Sequence, residues 1–465
     1  MKRYDKDTSA NAVILGDVGR LSVYSGDTRF EYYLIHHRRI KIINKQGFDW
    51  ADVAIPIRNL DETEELVSIK AQIFNPSGEK TELSKRDFHR EKINDRWSWI
   101  KFTFPNVEEG AIIEYTLNMT SKNIVQLNTW YFHNEIPTRL SELRITVDAA
   151  FTYATLFQGA EEMEKSELKD GTTVLKSGDT KMRLKPGHYI MENAPAFKEE
   201  AFITNIDDYR ARIRFQLQEV TYPDGFKQSF MSNWEELSKN LMDDQIFGLQ
   251  YRKKKNFKKI LESIESKMEN LTSPKDKLNT IYDFVANNMK WNGKFGLYPN
   301  EGLNKVFEKK LGKGVELNLI TLALLNHFEV NAYPLLCSTR SYGKMLRDYP
   351  IIEQFNHVMV LVNLPEGDLI VDIPRPSRPL GLPDINSLNS YAFLVDNKKP
   401  EWISISAPMG TDSYRSLIKI TEEGELECQM HMNFTNYNAI IERSNYRNDK
   451  NGSYWKKDYR NDYQV

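Results

Sequence analysis

Residues 315–328 constrain the fold more than any other stretch, because they are apolar around nearly the whole circumference of a helix. The apolar positions are Leu317, Leu319, Ile320, Leu322, Ala323, Leu324 and Leu325. Other elements must enclose such a helix on most sides. Strands are predicted after it at 332–337, 355–364, 369–373 and 391–395. Helices followed by consecutive strands indicate an α+β domain built around this helix.

Three further helices are predicted before the central one. Apolar residues recur at helical spacing between 257 and 271, which gives one apolar face. Ser273 is placed to cap the next helix and Pro274 suits its first turn, and Asn292-Gly293 is expected to end it. A short helix is predicted at 303–309.

The first 225 residues predict β structure. Runs rich in aromatic and β-branched residues, such as Phe30–Ile35, are separated by turn signals such as Lys169–Gly171. Many short strands with turns between them favour an antiparallel β-sandwich.

Two more strands are predicted near the C-terminus, at 414–420 and 425–434. The whole chain is therefore predicted to be a multidomain α+β protein. Its expected domains are an N-terminal antiparallel β-sandwich at 1–228, a central α+β domain at 229–405 and the start of a C-terminal β domain at 406–465.

Composition excludes several classes of partner. The net charge of the 465 residues is −2, so neither nucleic acid nor an anionic membrane surface is expected. Cys337 and Cys428 are too few and too far apart for a disulfide framework or a metal cluster. His36 and His37 point to opposite faces of a strand, so one metal cannot be held by both. No metal and no cofactor is predicted.

Neither a membrane span nor an export signal is visible in the chain as given. No stretch reaches the ~20 apolar residues that cross a bilayer. The N-terminal apolar run at 12–15 is too short for a signal-peptide core. We expect a chain that is either cytoplasmic or already trimmed, and one that continues in a longer protein.

Three features between Gly312 and Asp372 suit nucleophilic catalysis: a helix start at Gly314, His357 on a strand and Asp372 on the next strand. A thiol at a helix start is acidified by the helix dipole, a histidine moves its proton and an aspartate orients that histidine. A turn at Pro365–Gly367 would bring Asp372 close to His357, although the register is not readable from sequence. The alternative is a strand histidine satisfied by a core aspartate.

Several motifs carry a family resemblance, at 39–44, 47–51, 90–96, 101–107, 110–115, 206–210, 289–298, 336–341, 355–358 and 369–372. They resemble bacterial envelope proteins in which a β domain of unknown function precedes a transglutaminase-like domain of the papain-like cysteine protease superfamily. The tail resembles the start of the β domain that usually follows.

The resemblance implies that His357 and Asp372 match the catalytic histidine and aspartate of the family. Gly314 falls where active members carry cysteine. Because glycine has no side chain to attack a carbonyl, thiol-protease, transglutaminase and amidase chemistry by the usual route is removed. Cys337 is a weak substitute, because it lies inside an apolar strand without a helix N-terminus to acidify it.

We therefore expect a non-catalytic transglutaminase-like protein that binds peptide or glycan. Binding would use either a cleft lined by Trp291, Gly314, His357 and Asp372 or the β modules. A periplasmic or cell-envelope location follows from the resemblance alone. One alternative is a peptidase, amidase or acyl-transferase that uses Cys337, or a water held by His357. Another is a structural spacer, which a filled cleft would favour, whereas an exposed His357 would favour binding.

Overall fold

The computed structural model describes residues 3–25, 30–58, 63–93, 97–159, 164–166, 173–177, 180–230, 233–376 and 378–449. The chain divides into two compact units, residues 1–231 and 232–465. The predicted turn at Lys169–Gly171 and part of the motif at 90–96 lie outside the described residues.

The first unit is built from strands. They are β1 Ala12–Ser25, β2 Phe30–Ile42, β3 Asp52–Arg58, β4 Glu64–Phe74, β5 Lys80–Glu82, β6 His89–Lys92, β7 Trp97–Thr103, β8 Ile112–Ser121, β9 Trp130–Tyr131, β10 Thr138–Asp148, β11 Phe151–Gln158, β12 Glu164–Ser166, β13 Thr173–Ser177, β14 Thr180–Ala194, β15 Arg212–Thr221 and β16 Lys227–Ser229.

These strands form three sheets. The largest has nine strands in the order β12-β14-β10-β1-β2-β8-β4-β5, with β13 also paired to β14. A four-stranded sheet has the order β11-β15-β16, with β9 paired to β15, and a three-stranded sheet has the order β3-β7-β6. Strands β1 and β10 run parallel, so the predicted purely antiparallel arrangement is wrong at this pair. Parallel neighbours need a long crossover, which short turn signals do not reveal.

Two buried clusters lie side by side on one face of the large sheet. On β2, Tyr32 belongs to one cluster, and Ile40 and Ile42 belong to the other. These even-numbered positions share one face of the strand. Phe215 of the four-stranded sheet belongs to the first cluster and Phe102 of the three-stranded sheet to the second, so each small sheet covers part of the large one.

A buried ion pair lies on the same face, between the two clusters. Arg38 donates to Asp17 from Nε at 3.1 Å and from Nη2 at 2.6 Å, and His36 Nε2 lies 2.5 Å from Asp17 Oδ1. Burial opposes the charge of Asp17, but Arg38 and His36 hold its pKa well below the usual value. His37 contacts Thr116 instead, so the adjacent histidines have separate partners.

The second unit mixes helices and strands. Its helices are α1 Trp234–Asp243, α2 Gly248–Arg252, α3 Lys258–Met268, α4 Pro274–Asn288, α5 Leu303–Lys309, α6 Gly314–His327 and α7 Asn436–Asn448. Its strands are β17 Lys290–Trp291, β18 Leu311–Gly312, β19 Ala332–Cys337, β20 His357–Leu364, β21 Gly367–Val371, β22 Tyr391–Leu394, β23 Glu401–Ser404, β24 Asp412–Ile420 and β25 Leu426–Phe434.

The core of this unit surrounds α6. Every residue from Gly314 to Leu325 is buried, as the apolar circumference predicts. The helix packs against an antiparallel five-stranded sheet in the order β21-β20-β19-β22-β23. Val358 and Val360 belong to the large cluster around α6, whereas Met359 belongs to a smaller cluster on the opposite face.

The mixed α+β composition of the chain is confirmed, and Ser273 caps α4 as predicted. Helix α4 ends at Asn288 rather than at Asn292-Gly293, because Lys290–Trp291 pairs with Leu311–Gly312. Helix α7 follows the predicted C-terminal strands and was not predicted. The sandwich layout and the three domain boundaries stay predictions. Among the described residues, no helix is both long and apolar enough to cross a membrane.

Candidate functional site

The N-terminus of α6 is fixed by a buried glutamate. Glu316 lies in the first turn, where a carboxylate is favoured by the helix dipole. It accepts the N–H of Lys313 at 2.7 Å and the N–H of Asn300 at 2.8 Å. The same side chain therefore holds both Lys313, the residue that precedes the helix, and the loop at 292–302 in place.

His357 and Asp372 are brought together by a tight hairpin. Leu364 pairs with Gly367, and the ladder continues to Val360 opposite Val371. His357 begins β20 and Asp372 directly follows β21. His357 Nε2 lies 2.7 Å from Asp372 Oδ1, and both side chains are fully buried.

Three further groups hold the Asp372 carboxylate. Asn318 Nδ2 donates to Oδ1 at 2.9 Å, and Oδ2 accepts the N–H of Asp384 at 2.9 Å and the hydroxyl of Ser387 at 2.9 Å. Asn318 lies one helical turn after Gly314 and so shares its face of α6. With His357, the carboxylate has four partners.

Asn318 also links the helix to the sheet. Its Nδ2 donates to the carbonyl of Val358 at 2.7 Å, and its Oδ1 accepts the N–H of Ile373 at 2.7 Å. A buried amide with all these partners is fully satisfied. It fixes α6 against β20 and against the end of β21.

This environment keeps Asp372 ionised. Burial alone would raise its pKa, but His357 and the surrounding hydrogen-bond donors hold that pKa well below the usual value. A neutral imidazole beside this carboxylate carries its proton on Nε2, which leaves Nδ1 as an acceptor. Nδ1 is buried and has no hydrogen-bond partner among the described residues.

The ring of His357 lies against the bare backbone of Gly314. A Cβ built on Gly314 would lie 2.6 Å from His357 Cε1, 3.2 Å from His357 Nδ1 and 3.1 Å from Ile373 Cδ1. The first of these distances is far below van der Waals contact. The imidazole therefore occupies space that any larger residue at 314 would need.

The loop at 292–302 covers the start of α6. The N–H of Gly314 donates to the carbonyl of Lys294 at 3.0 Å. The Phe295 ring packs edge-on against His357 with ring centroids 4.8 Å apart, and Trp291 packs against Phe295 at 5.3 Å. The guanidinium of Arg375 lies 4.3 Å from the centre of the Trp291 ring.

Cys337 is buried on the neighbouring strand and makes no hydrogen bond to His357 Nδ1. It pairs with His357 across β19 and β20, but its thiol meets the Ser387 hydroxyl. Burial raises the pKa of the Cys337 thiol well above its usual value, and the charge of Asp372 raises it further. This environment disfavours the thiolate that would be needed for attack.

The structure thus brings together all four residues predicted to line the cleft, but His357 and Asp372 are fully buried and Phe295 packs on the His357 ring. Their role as a vestigial catalytic pair and binding site stays a prediction.

Sequence reasoning missed Asn318, Asp384 and Ser387. Of these three residues only Asn318 carried a signal in the sequence, its helical spacing from Gly314. No group of residues that could hold a metal occurs in the part of the chain that the structure describes.

Comparisons with known proteins support the fold rather than an activity. The model of the family "Domain of Unknown Function with solved-structure structure (DUF3857)" matches residues 29–180. No curated protein matches the chain.

Two solved structures are similar over most of the chain. The crystal structure of a "putative protease" from Parabacteroides distasonis ATCC 8503 has a TM-score of 0.56 at 13% identity, and the match covers 86% of this chain and 72% of that chain. A "putative cysteine protease" from Cytophaga hutchinsonii is 11% identical and covers 88% of this chain and 90% of that chain, but its TM-score of 0.19 carries no argument. The chain therefore shares its fold with the Parabacteroides distasonis protein.

We predict that Gly314→Ala lowers the free energy of unfolding by about 1–3 kcal/mol, the usual cost of overpacking a core. The added Cβ must displace the His357 ring, which is held by Asp372 and Phe295. Denaturant titration followed by circular dichroism measures the change.

Gly16→Ala is the matched control, because a Cβ there meets nothing within 4 Å. In the double variant Gly314→Ala/His357→Ala the overlap is absent, so its loss should be smaller than the sum of the two single losses. If the losses in the free energy of unfolding were additive, they would contradict the close approach of the His357 ring to Gly314.

We also predict that Asp372→Asn lowers the free energy of unfolding at neutral pH by about 3–5 kcal/mol, because one partner of a buried pair is removed. Since the folded-state pKa of Asp372 is lowered, its contribution is fully present above about pH 4 and is lost as the pH falls further. Wild-type stability should therefore fall more steeply below pH 4 than that of the variant. Asp5→Asn is the control, since Asp5 is 90% exposed, and an equal acid dependence of wild type and Asp372→Asn would contradict the prediction.

Proposed function

We propose that this protein is a non-catalytic protein with a protease-like fold that binds a peptide or glycan at the bacterial cell envelope. One observation carries the non-catalytic part: the His357 ring lies where a nucleophilic side chain on residue 314 would begin, with Cε1 2.6 Å from the ideal Cβ position. The envelope location rests on the motif resemblance, and fractionation of cells that express the full-length protein tests it.

A second feature supports the absence of acyl transfer. Acyl transfer needs hydrogen-bond donors aimed at the developing oxyanion, and the backbone N–H at the start of a helix is a common one. Here the N–H of Gly314 already donates to the carbonyl of Lys294. A substrate carbonyl would have to displace this loop as well as supply its own nucleophile.

The alternative enzyme that uses Cys337 is disfavoured by geometry. The thiol is completely buried, its pKa is raised by burial and by Asp372, and it makes no hydrogen bond to His357 Nδ1. A water held by His357 as nucleophile is disfavoured by the full burial of that side chain.

The binding part of the proposal rests on the outer layer of the same region. Trp291 and Phe295 are partly exposed, and Arg375 stacks on Trp291. Rigid aromatic rings with an adjacent guanidinium are typical of surfaces that bind peptides and glycans. The full burial of His357 is the outcome expected for the spacer alternative. Ligand binding at Trp291 is therefore what separates the two proposals.

We predict that the native protein hydrolyses no chromogenic peptide or amide substrate, and that iodoacetamide modifies Cys428 but not Cys337. Cys428 is exposed whereas Cys337 is buried. Mass spectrometry of the labelled chain, before and after unfolding, identifies the modified residue. In Cys428→Ser the native protein should take up no label, and rapid labelling of Cys337 that His357→Ala abolishes would overturn the proposal.

We further predict that the protein binds members of an immobilised panel of peptides and glycans, and that Trp291→Ala weakens this binding about tenfold or more, because Trp291 holds the Arg375 guanidinium in place. Trp97→Ala is the matched control, because Trp97 is 40% exposed and lies in the other unit. Absence of binding to every member of the panel, or equal effects of the two substitutions, would favour the spacer.

A further inference from the structure

Two arginines on the segment after Asp372 share a single carboxylate oxygen. Arg375 Nη2 donates to Asp384 Oδ2 at 2.6 Å, and Arg378 Nη2 donates to the same oxygen at 2.8 Å. The other oxygen, Oδ1, accepts the N–H and the Nδ2 group of Asn386, each at 3.0 Å. Asp384 is thereby saturated with donors, while each guanidinium uses one of its five N–H bonds on it.

Both guanidiniums keep buried donors that have no partner. Arg375 Nε and Arg378 Nη1 are buried and lack a hydrogen-bond partner among the described residues. The Arg378 side chain is only 10% exposed and that of Arg375 is 28% exposed. Buried polar groups are normally paired, so two unpaired donors on adjacent arginines are unusual.

The nearest other carboxylate cannot supply the acceptor. Asp372 already has four partners, two on each oxygen. The pKa of Arg375 is lowered, first by burial and then by the charge of Arg378. The arginine pair therefore carries positive charge that its surroundings do not fully balance.

We propose that Arg375 and Arg378 bind a carboxylate group of an acidic peptide. This inference rests on the proposed function and names the ligand class at the same surface. The planar guanidinium fork matches a carboxylate and forms charge-assisted hydrogen bonds with it. Arg375 is the more exposed of the two arginines, so it contacts the ligand first. The more buried Arg378 then donates to the same carboxylate.

The stacking of Arg375 favours a peptide over a glycan as the source of the carboxylate. A sugar that stacks on Trp291 needs an uncovered ring face, but Arg375 lies 4.3 Å from the ring centre and Phe295 packs against the same ring at 5.3 Å. An acidic side chain needs no free aromatic face. It needs only the guanidinium edges, which Trp291 holds in a fixed orientation.

The test measures binding of fluorescein-labelled tetraglutamate to the full-length chain by fluorescence anisotropy. Tetraglutamine is the neutral comparison, and a labelled tetragalacturonate is the carboxylated glycan. We expect tetraglutamate to bind at least tenfold more tightly than either comparison. Arg378→Gln should weaken tetraglutamate binding about tenfold, the size expected for loss of a charged hydrogen bond, and Arg378→Lys should restore part of it.

For a second variant we predict the opposite change in affinity for tetraglutamate. Asp384→Asn removes the internal competitor for both guanidiniums, and asparagine still caps the short helix at Ile385–Ser387. It should therefore bind tetraglutamate several-fold more tightly than the wild type. Tighter binding by Asp384→Asn would support carboxylate binding at the two arginines even if Arg378→Gln fails to fold.

Arg347→Gln is the matched control, since Arg347 also stacks on an aromatic ring, 4.1 Å from the centre of Tyr391, and it should leave binding unchanged. Equal binding of tetraglutamate and tetraglutamine, or unchanged affinity in both Arg378→Gln and Asp384→Asn, would overturn this inference while leaving the proposed function intact. Preferential binding of tetragalacturonate would also overturn this inference and leave the proposed function intact. If no probe and no member of the peptide and glycan panel binds, the proposed function itself fails.

Discussion

The second unit depends on one buried contact, that between His357 and Asp372. The 2.7 Å hydrogen bond joins the first residue of β20 to the residue after β21, and Asn318 ties the same carboxylate to α6. A buried charge of this kind adds little net stability when it is fully satisfied, but its disruption is costly because a partner is left without compensation. The pair therefore connects three elements of this unit whether or not it supports a reaction.

The absence of a side chain at Gly314 has consequences beyond the loss of a nucleophile. It allows the His357 ring to approach the helix start, and Phe295 then packs on that ring. The loop that carries Phe295 also brings the carbonyl of Lys294 to the N–H of Gly314. Each contact fills space or uses a donor that a reacting substrate would require, so the glycine and the closed loop are parts of one arrangement.

The sequence predicted the parts of this arrangement that depend on local patterns. The apolar circumference of residues 315–328 predicted α6, and the turn at Pro365–Gly367 predicted the hairpin that joins His357 to Asp372. The fit of the His357 ring against Gly314 could not be predicted, because it depends on a few tenths of an ångström between separate elements. The parallel pair of β1 and β10 was missed because long-range pairing leaves no local signal. Helix α7 was missed because it lacks a wide apolar face, with Ala439 as its buried residue.

An oriented histidine–aspartate pair is weak evidence for catalysis when its environment leaves no access to it. Every acceptor site on Asp372 is used within the protein, and the His357 side chain is wholly buried. Arg375 and Arg378 differ from this pair, because each guanidinium has a donor without a partner among the described residues and the Arg375 side chain is 28% exposed. A ligand lowers the free energy most where it supplies a missing partner, and for this reason we place the proposed ligand at the arginines rather than at the buried pair.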